Sequence, residues 1–506
     1  MKSGRSLVIF FVFIGAIVLV LSRLPKSKSE LSYGLFDRSV DIGNVNHAGY
    51  AYYSPDSQYY HIAGSGQNMW FNKDDFHFIY KKMRGDFVLT AQFAFIGDGV
   101  DPHRKVGWMV RQSLDTDSPY ADAVVHGDGL TSLQYRRDVA ANTEEVRANI
   151  FAPDVIQFEK HENTYTMRAA RFGEPLSTTA SINLPLGDSV YVGLAMCSHN
   201  ADVLEKAQVK NLRIDIPAPK DFSPYQDYSA SRLEILDVAT GNRQVVYNSE
   251  APIEAPNWTR DGKALIYNSN GLLYRFDLDS RQSTQINTDF ATRNNNDHVI
   301  SWDGQRLGIS HHVQGEDGGG STIYTLPIEG GVPSRVTDKT PSYLHGWSPD
   351  DQNLVYTAER NGQYDIYKIS VKGGDEIQLT NQPTLDDGSE YSPGGRWIYF
   401  NSARTGTMQI WRMLADGSNQ QQLTFDAWND WFPHISPDGS TVLFLSYPPE
   451  IDAADHPHYK HVMLRTMPFD GGEPAVVAYL YGGQGTMNVP SWSPDGSKVA
   501  FVSYTF

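Results

Sequence analysis

Hydrophobic residues along this chain alternate with polar ones over short stretches and rarely follow a helical period. In the first half, alternating runs occupy 86–95, 106–111, 164–170 and 189–195, each bounded by turn-forming residues. In the second half a short apolar strand start, a Ser-Pro-Asp-Gly turn and an alternating strand recur, most clearly at 431–446. The pattern therefore predicts an all-β protein in both halves.

The turn of the second half is a repeated cassette. Its first hydroxyl residue stands at Thr259, Ser301, Ser348, Ser392, Ser436 and Ser493, so successive copies are 42, 47, 44, 44 and 57 residues apart. A period near 44 residues, built of strands and tight turns, is typical of a β-propeller. Residues 232–247 match only the second half of a repeat, and 491–506 match only the first. We therefore expect the two ends to complete one blade and close a ring of six blades.

These patterns divide the chain into four predicted segments. Residues 1–29 are a signal anchor or signal peptide, and 30–218 form a two-sheet β-sandwich. A polar, proline-containing linker, 219–230, follows, and 231–506 form the six-bladed propeller. The chain is therefore expected to contain two all-β domains behind a targeting segment.

The N-terminal segment predicts export. Lys2 and Arg5 precede an uncharged, largely apolar run from Leu7 to Leu21. This run is short for a transmembrane helix, but no Ala-x-Ala cleavage site follows it, so an uncleaved anchor is favoured over a cleaved signal peptide. We expect a membrane-anchored protein that faces the periplasm or the cell exterior.

Composition excludes several classes of function. The formal net charge of −17 argues against nucleic acid as a partner, and solubility is the simplest explanation of that charge. The single cysteine, Cys197, excludes an internal disulfide, and its apolar strand predicts a buried structural thiol. The sequence has no Gly-x-Ser-x-Gly nucleophile elbow, so a propeller-bearing serine peptidase is excluded.

The repeats resemble the TolB-type propeller family. The shared features are the Ser-Pro-Asp-Gly turn, the Tyr-Asp-Ile-Tyr strand at 364–367, and Gly-Gly-Asp-Glu-Ile-Gln-Leu-Thr at 373–380, which recurs as Gly-Ser-Asn-Gln-Gln-Gln-Leu-Thr at 417–424. The resemblance implies a platform that binds a protein or another ligand, and a few such relatives are enzymes that act on glycans. Fold alone does not choose between these functions.

The first half is similar to a different family. Its segments at 85–91, 107–113, 133–137 and 191–199 resemble the concanavalin-like jelly rolls of the laminin-G and glucanase type. That resemblance implies a jelly-roll domain that binds or accompanies carbohydrate.

Position in the repeat predicts where functional residues lie. The segment leading into the innermost strand of a blade and the loop between the second and third strands open on one face, and all eight histidines of the propeller half fall on such segments. A single histidine there is usually a packed or surface side chain, but the cluster makes a binding or catalytic site an equal alternative. We predict catalytic roles for His298, His434 and Arg465. We predict ligand-binding roles for His345, Asp387, Glu390, Arg404, His456, His458, Gln484 and Asn488.

Imidazole and carboxylate groups of this kind can hold a divalent metal ion or act as general acid and base. The sequence has no tight motif such as His-Glu-x-x-His, so metal binding stays open. An insertion at 447–461 lengthens a mouth-facing loop of the fifth blade, which predicts a functional lid, with a disordered loop as the alternative.

Two functions remain. The first is an exported, membrane-anchored protein that engages glycans or glycoconjugates through the propeller mouth and the jelly roll, with metal-assisted lyase or hydrolase activity as an extension. Oligogalacturonate lyases, propellers of similar repeats with a metal bound by histidine and glutamine, match this chain in residue types only. The second is a non-enzymatic periplasmic scaffold whose propeller binds a protein partner, as the TolB resemblance implies. The sequence does not decide whether the protein is an enzyme.

Overall fold

A computed structural model describes residues 32–223, 226–314 and 319–506. All the regular elements in these ranges are β-strands, which confirms the all-β prediction. Within the same ranges, no helix is long and apolar enough to cross a membrane. The predicted anchor at 1–29 lies outside the described residues and stays a prediction.

The first half contributes sixteen strands. In chain order they are β1 (Arg38–Ile42), β2 (Tyr50–Ser54), β3 (Tyr59–Gly66), β4 (Met69–Trp70), β5 (Lys73–Asp74), β6 (Phe76–Arg84), β7 (Phe87–Ile96), β8 (Lys105–Arg111), β9 (Tyr120–His126), β10 (Thr131–Arg136), β11 (Glu144–Arg147), β12 (Val155–His161), β13 (Thr164–Ala170), β14 (Ser177–Asn183), β15 (Ser189–Cys197) and β16 (Asn200–Asp215). Two antiparallel seven-stranded sheets result, ordered β1-β6-β15-β8-β9-β10-β11 and β14-β13-β12-β7-β16-β3-β2, and β4 pairs with β5.

The two sheets pack face to face around one hydrophobic core. The ring of Trp108, from the first sheet, meets Phe93 of the second edge-on at 6.0 Å between ring centroids. Its indole Nε1 donates a hydrogen bond to the Ile156 carbonyl, 3.2 Å away. Cys197 is buried and free, and burial raises the pKa of its thiol to about 11, as suits a structural residue. The resemblance to concanavalin-like jelly rolls stays a prediction.

The second half contributes twenty-three strands. They are β17 (Ala230–Asp237), β18 (Asn242–Ser249), β19 (Glu254–Trp258), β20 (Ala264–Ser269), β21 (Leu272–Asp277), β22 (Gln282–Gln285), β23 (Asn294–Ile300), β24 (Arg306–Val313), β25 (Gly320–Pro327), β26 (Ser334–Arg335), β27 (Ser342–Trp347), β28 (Asn353–Arg360), β29 (Gln363–Ser370), β30 (Ile377–Gln378), β31 (Asp386–Tyr391), β32 (Trp397–Ser402), β33 (Gln409–Leu414), β34 (Gln421–Gln422), β35 (Asn429–Ile435), β36 (Thr441–Tyr447), β37 (Lys460–Pro468), β38 (Ala475–Gly482) and β39 (Lys498–Thr505).

These strands form six blades. Five are four-stranded sheets, β19–β22, β23–β26, β27–β30, β31–β34 and β35–β38. The sixth joins β17 and β18, from the start of the propeller, to the C-terminal β39. An isolated antiparallel bridge between Trp492 and Val499 extends this sheet on the inner side of β39. Six blades closed by both ends of the propeller are therefore confirmed. We call the end of the central channel where the innermost strands begin the mouth.

The repeated cassette shapes the turn at the opposite end of each innermost strand. In five copies the Ser or Thr hydroxyl donates a hydrogen bond to the Asp carboxylate two residues later, at 2.5–2.6 Å. The Ser301 hydroxyl also accepts the backbone N–H of Arg306 at 2.9 Å. The neighbouring tryptophan joins blades, since Trp347 Nε1 donates to the Val299 carbonyl at 2.9 Å. The cassette is therefore an architectural device.

A buried charge network fixes the sandwich to the closing blade. Glu234 on β17 accepts hydrogen bonds from Arg213 of the sandwich at 2.5 Å and from Arg243 on β18 at 2.9 Å. The Ser503 hydroxyl on β39 donates to the same carboxylate at 2.5 Å. Asn211 of the sandwich accepts the backbone N–H of Arg243 at 2.8 Å. We call this network the junction.

Candidate functional site

The innermost strands reach the mouth with the same distortion. β19, β23, β27, β31 and β35 each carry a register shift close to their first residues. Ala255, Gly388 and Phe432, at three of these shifts, have left-handed backbones with φ of 53°, 63° and 55°. An extra residue in one strand bends it and redirects nearby side chains. Here the redirected residues include Glu254 and Asp387, which line the channel.

A pocket of about 800 Å³ occupies the mouth. Its wall is made largely of asparagine and glutamine amides, of tyrosine and phenylalanine rings, and of charged side chains. The acidic, arginine and histidine residues of the wall are Glu254, Arg293, Asp297, His312, His345, Asp387 and His456. Such a concave surface with converging polar groups is the usual form of a ligand site.

Asp387 and His345 form an ion pair in this pocket. The carboxylate Oδ1 lies 3.0 Å from His345 Nε2 and also accepts the Thr357 hydroxyl at 2.6 Å, while His456 Nε2 is 3.9 Å from Oδ2. Burial disfavours the imidazolium, but the carboxylates of Asp297 and Asp387 outweigh it and raise the pKa of His345 to about 9. Burial likewise opposes ionisation of Asp387, yet His345 lowers its pKa to about 2. Both members are therefore charged at neutral pH.

Glu254 and Asp297 behave differently. Burial, reinforced by the charge of Asp297, raises the pKa of Glu254 to about 7. Burial also raises the pKa of Asp297 to about 6, although His345 opposes the change. Their polar contacts are with imidazole and amide groups: His458 Nε2 lies 3.8 Å from Glu254, and the Asn295 amide donates to Asp297 at 2.7 Å. A cation or hydrogen-bond donor on a ligand would therefore stabilise both carboxylates.

The pocket gathers five of the predicted site residues, namely His345, Asp387, His456, Gln484 and Asn488. Gln484 and Asn488 are joined by a hydrogen bond of 2.9 Å from the Asn488 amide. His458 Nε2 lies 3.8 Å from Glu254, but His458 does not line the pocket. Of the eight propeller histidines, three line the pocket, because His312 joins His345 and His456.

His298, His434 and Glu390 lie away from the wall of this pocket. His298 is fully buried, with Nε2 3.1 Å from the Ile266 carbonyl of the preceding blade. His434 pairs with Glu390 at 2.6 Å, and its other ring nitrogen lies 2.9 Å from the Met487 carbonyl. These contacts connect neighbouring blades.

The two predicted arginines also lie outside the wall. Arg404 pairs with Asp386 at 2.8 Å. Arg465 pairs with Asp426 and Asp430, each at 2.5 Å. Both guanidinium groups therefore brace strands and loops around the mouth.

Other wall residues were missed by sequence reasoning, although a signal for them exists. Five residues before the turn hydroxyl, the six cassettes carry Glu254, Asn296, Tyr343, Asp387, Trp431 and Asn488. All of these except Trp431 line the pocket, and Phe432 takes its place in that blade. Aligning the cassettes on their turns would have identified this position.

Metal-ligand geometry differs between the halves. In the described ranges, His, Cys, Asp or Glu ligand atoms from three residues come within 4.8 Å of one another at a single place, His103, His126 and Asp128 of the sandwich. The described wall of the mouth brings no such trio together.

Comparisons with known proteins match the propeller half. The sequence model of the TolB β-propeller domain matches residues 342–453. The uncharacterized protein Atu1656 of Agrobacterium fabrum is 48% identical over 275 residues, which are 54% of this chain and 92% of the relative. A solved TolB-like protein from Agrobacterium tumefaciens is 46% identical, with a TM-score of 0.53, and the match covers 55% of this chain and 100% of that chain.

Other solved structures match the same half at lower similarity. TolB from Acinetobacter baumannii is 19% identical over 51% of this chain and 65% of its own, with a TM-score of 0.40. An oligogalacturonate lyase in complex with manganese is 14% identical over 53% and 70%, with a TM-score of 0.35. Neither likeness bears on chemistry. The assignment rests on the TolB-like protein from Agrobacterium tumefaciens, which is 46% identical and matched over its full length: the chain belongs to the TolB-type β-propeller family.

Proposed function

We propose that this chain is an exported, non-enzymatic binding protein whose mouth pocket takes a cationic segment of a protein partner. The observation that carries the proposal is the presence of three carboxylates, Glu254, Asp297 and Asp387, in the wall of one pocket of about 800 Å³. Asp387 already has an ion pair of 3.0 Å with His345, whereas the imidazole nearest to Glu254, that of His458, is 3.8 Å away. The charge of His345 also acts on Asp297, but burial still raises the pKa of that carboxyl to about 6. The segment at 1–29 supports export and membrane attachment.

The other wall groups suit a peptide. Amides such as Asn296 and Gln484 can pair with backbone N–H and C=O groups of an extended segment. The rings of Tyr343, Tyr364 and Phe432 offer faces to the stem or the charge of a lysine. An ammonium group that reached Glu254 and Asp297 would restore the electrostatic stabilisation that their burial removes.

Binding is favoured over catalysis by the chemistry of the wall. Its described residues include no serine, cysteine or lysine, and the Thr357 hydroxyl is engaged with Asp387. Among the histidines of the wall, His345 has the closest carboxylate contact, and it is held protonated at neutral pH, so it is a poor general base. The predicted catalytic trio His298, His434 and Arg465 lies outside the wall.

A glycan is the second candidate ligand, because amide, carboxylate and tyrosine groups also bind sugar hydroxyls. If the ligand is a glycan, the sandwich domain would provide a second carbohydrate-binding surface. A metal-assisted lyase or hydrolase reaction has less support, since the mouth lacks a described trio of metal ligands.

The test compares purified wild-type chain with the double variant Glu254→Gln/Asp297→Asn on peptide and oligosaccharide arrays. Peptides with free lysine amines should be retained at pH 8 more than their acetylated counterparts. Binding should strengthen as pH rises from 5.5 to 8, because Glu254 and Asp297 ionise over that range. Loss of two charge-assisted contacts should weaken affinity by about tenfold or more.

Asp279→Asn is the matched control, since this carboxylate is exposed on an outer turn of the propeller and does not line the pocket. It should leave binding unchanged. If the wild type retained oligosaccharides and not lysine peptides, and the double variant lost that retention, the ligand would be a glycan. Equal binding by the wild type and the double variant would overturn the mouth as the site.

A further inference from the structure

A second group of functional side chains lies at one end of the sandwich, away from the propeller pocket. His103 is in the loop between β7 and β8, His126 ends β9, and Asp128 is in the turn between β9 and β10. One ligand atom from each residue lies within 4.8 Å of those of the other two. The trio therefore brings together three loops or strand ends that are separate in sequence.

His126 is the fixed member of the trio. The residue is 5% exposed, and its Nδ1 has no hydrogen-bond partner among the described residues. Its Nε2 lies 3.2 Å from the side-chain amide of Gln134. A buried polar atom without a partner is costly, so Nδ1 is a position where a ligand would be stabilising.

The backbone holds the other two members close to it. Asp128 N–H donates to the Pro102 carbonyl and Gly127 N–H to the Arg104 carbonyl, both at 2.8 Å. The loop of His103 and the turn of Asp128 are thus joined next to His126. Asp128 Oδ1 accepts the Leu130 N–H at 3.0 Å, which leaves Oδ2 for another partner. His103 and Asp128 are exposed, so the site is open to solvent.

We propose that His103, His126 and Asp128 form a binding site for a divalent transition metal ion of the zinc class. Two imidazoles and one carboxylate suit Zn²⁺, whereas Ca²⁺ and Mg²⁺ take oxygen ligands. Three protein ligands leave one coordination position for water or for a bound molecule. With bonds of about 2.0–2.2 Å, the exposed side chains of His103 and Asp128 close on the ion by changing rotamer.

Neighbouring residues support this geometry. A metal on Nδ1 of His126 leaves Nε2–H to be satisfied, and the Gln134 amide lies 3.2 Å away. Its oxygen would reach that donor by turning away from Lys105 Nζ, from which it now accepts at 3.3 Å. The ring of His199 packs beside the site, with its centroid 5.4 Å from that of His103. Its Nε2 is hydrogen-bonded to the Asn68 amide at 3.1 Å, and its Nδ1 lies 3.2 Å from Asp101 Oδ1.

The test titrates ZnCl₂ into the full chain, purified without a polyhistidine tag, by isothermal calorimetry. Binding of one equivalent is expected, and Co²⁺ in place of zinc should give the visible absorption of a low-coordinate site. His103→Gln and Asp128→Asn should each weaken zinc affinity by about tenfold or more. Both residues are exposed, so metal-free thermal unfolding of these variants should match that of the wild type.

His161→Gln is the matched control: its imidazole is 58% exposed on the same domain and 2.8 Å from Asp86. This variant should bind zinc like the wild type and show the same zinc-dependent rise in unfolding temperature. The double variant Glu254→Gln/Asp297→Asn should also bind zinc normally, which separates this site from the propeller pocket. Absence of binding at about 1 mM zinc, or unchanged affinity in both His103→Gln and Asp128→Asn, would overturn the proposal.

Discussion

Glu234 at the junction and Glu254 in the pocket are both buried glutamates of the propeller, but their surroundings have opposite effects. Burial alone would raise the pKa of Glu234, yet the guanidinium groups of Arg213 and Arg243 outweigh it and hold that pKa well below the usual range. No guanidinium contacts Glu254 among the described residues, and burial raises its pKa to about 7. The same side chain is thus fully compensated at one site and left uncompensated at the other.

The difference separates architecture from function. At the junction, every partner of Glu234 belongs to a different element, β16, β18 or β39, so the carboxylate joins the two halves and closes the ring. In the pocket, Glu254 and Asp297 add charge to a cavity, and among the described residues neither forms an ion pair as short as those of Glu234. Uncompensated ionisable groups in a cleft cost stability, and ligand binding is the usual reason for keeping them.

The largest effect is expected for Glu234→Gln. The substitution leaves Arg213 and Arg243 buried without the carboxylate that pairs with both, so the free energy of unfolding should fall by about 3–5 kcal/mol. Urea denaturation followed by tryptophan fluorescence would measure the loss. Glu144→Gln is the control, because its ion pair with Arg137 at 3.0 Å is about half exposed and should contribute about 0–1 kcal/mol. Similar losses in both variants would mean that the junction contributes no more to stability than an exposed ion pair does.

The next effect has the opposite sign, and the substitution is Glu254→Gln. Because the pKa of Glu254 is about 7 in the folded state against an ordinary value of 4.5, the folded state retains the proton to a higher pH than the unfolded chain does. The contribution of Glu254 to the free energy of unfolding of the wild type therefore decreases as pH rises from 4.5 to 7. Glutamine removes that loss, so the variant should be more stable at pH 8 by up to about 3 kcal/mol.

The gain should shrink towards zero as the pH falls to about 4, where both states carry the protonated acid. Urea denaturation midpoints at the two pH values would measure it. Asp279→Asn, an exposed carboxylate of the same domain, should shift neither midpoint by more than about 0.5 kcal/mol. A loss of stability at pH 8 in Glu254→Gln would mean that Glu254, like Glu234, has a structural partner.

The sequence predicted the ring of blades well because its signals are local. Each cassette carries its own turn hydroxyl, and five of the six carry the aspartate two residues later. The six copies at near-constant spacing, with two half-repeats at the ends, indicated six blades. The junction has no such signature, since Arg213 and Glu234 belong to different domains. Their contact exists only once β16 packs against the closing blade.

The pocket was predicted in part, for a similar reason. His345 and Asp387 were found because position in the repeat indicates the mouth. Glu254 and Asp297 also lie in segments that lead into innermost strands, but neither was predicted to be a site residue. Burial and the charge of Asp297 raise the pKa of Glu254, while burial and the charge of Asp387 raise that of Asp297. These charges belong to different blades, so no single repeat contains the cause. His434, one place further along its strand, contacts Glu390 instead.

The smallest effect is expected for Asp387→Asn, and it is a change in the pKa of His345, the residue that pairs with Asp387 in the pocket. In Asp387→Asn, His345 loses both a hydrogen bond and the nearer of two carboxylates, so its pKa should fall from about 9 by at least about one unit, or 1.4 kcal/mol. NMR titration of the histidine ring protons would measure the change, with His345→Gln assigning the resonance. Asp279→Asn should leave the titration unchanged.

The direction of the pH effect on stability follows from the raised pKa. Protonated His345 stabilises the wild type fully below its ordinary value of 6.5, and this contribution disappears as pH rises through about 9. Asp387→Asn should therefore lose stability mainly below pH 9, the reverse of Glu254→Gln, which gains most at high pH. A His345 that still titrates near 9 in the variant would mean that Asp297 alone provides the compensation. Asp297 would then be the pocket's dominant charge, and the cationic ligand would be expected to contact Glu254.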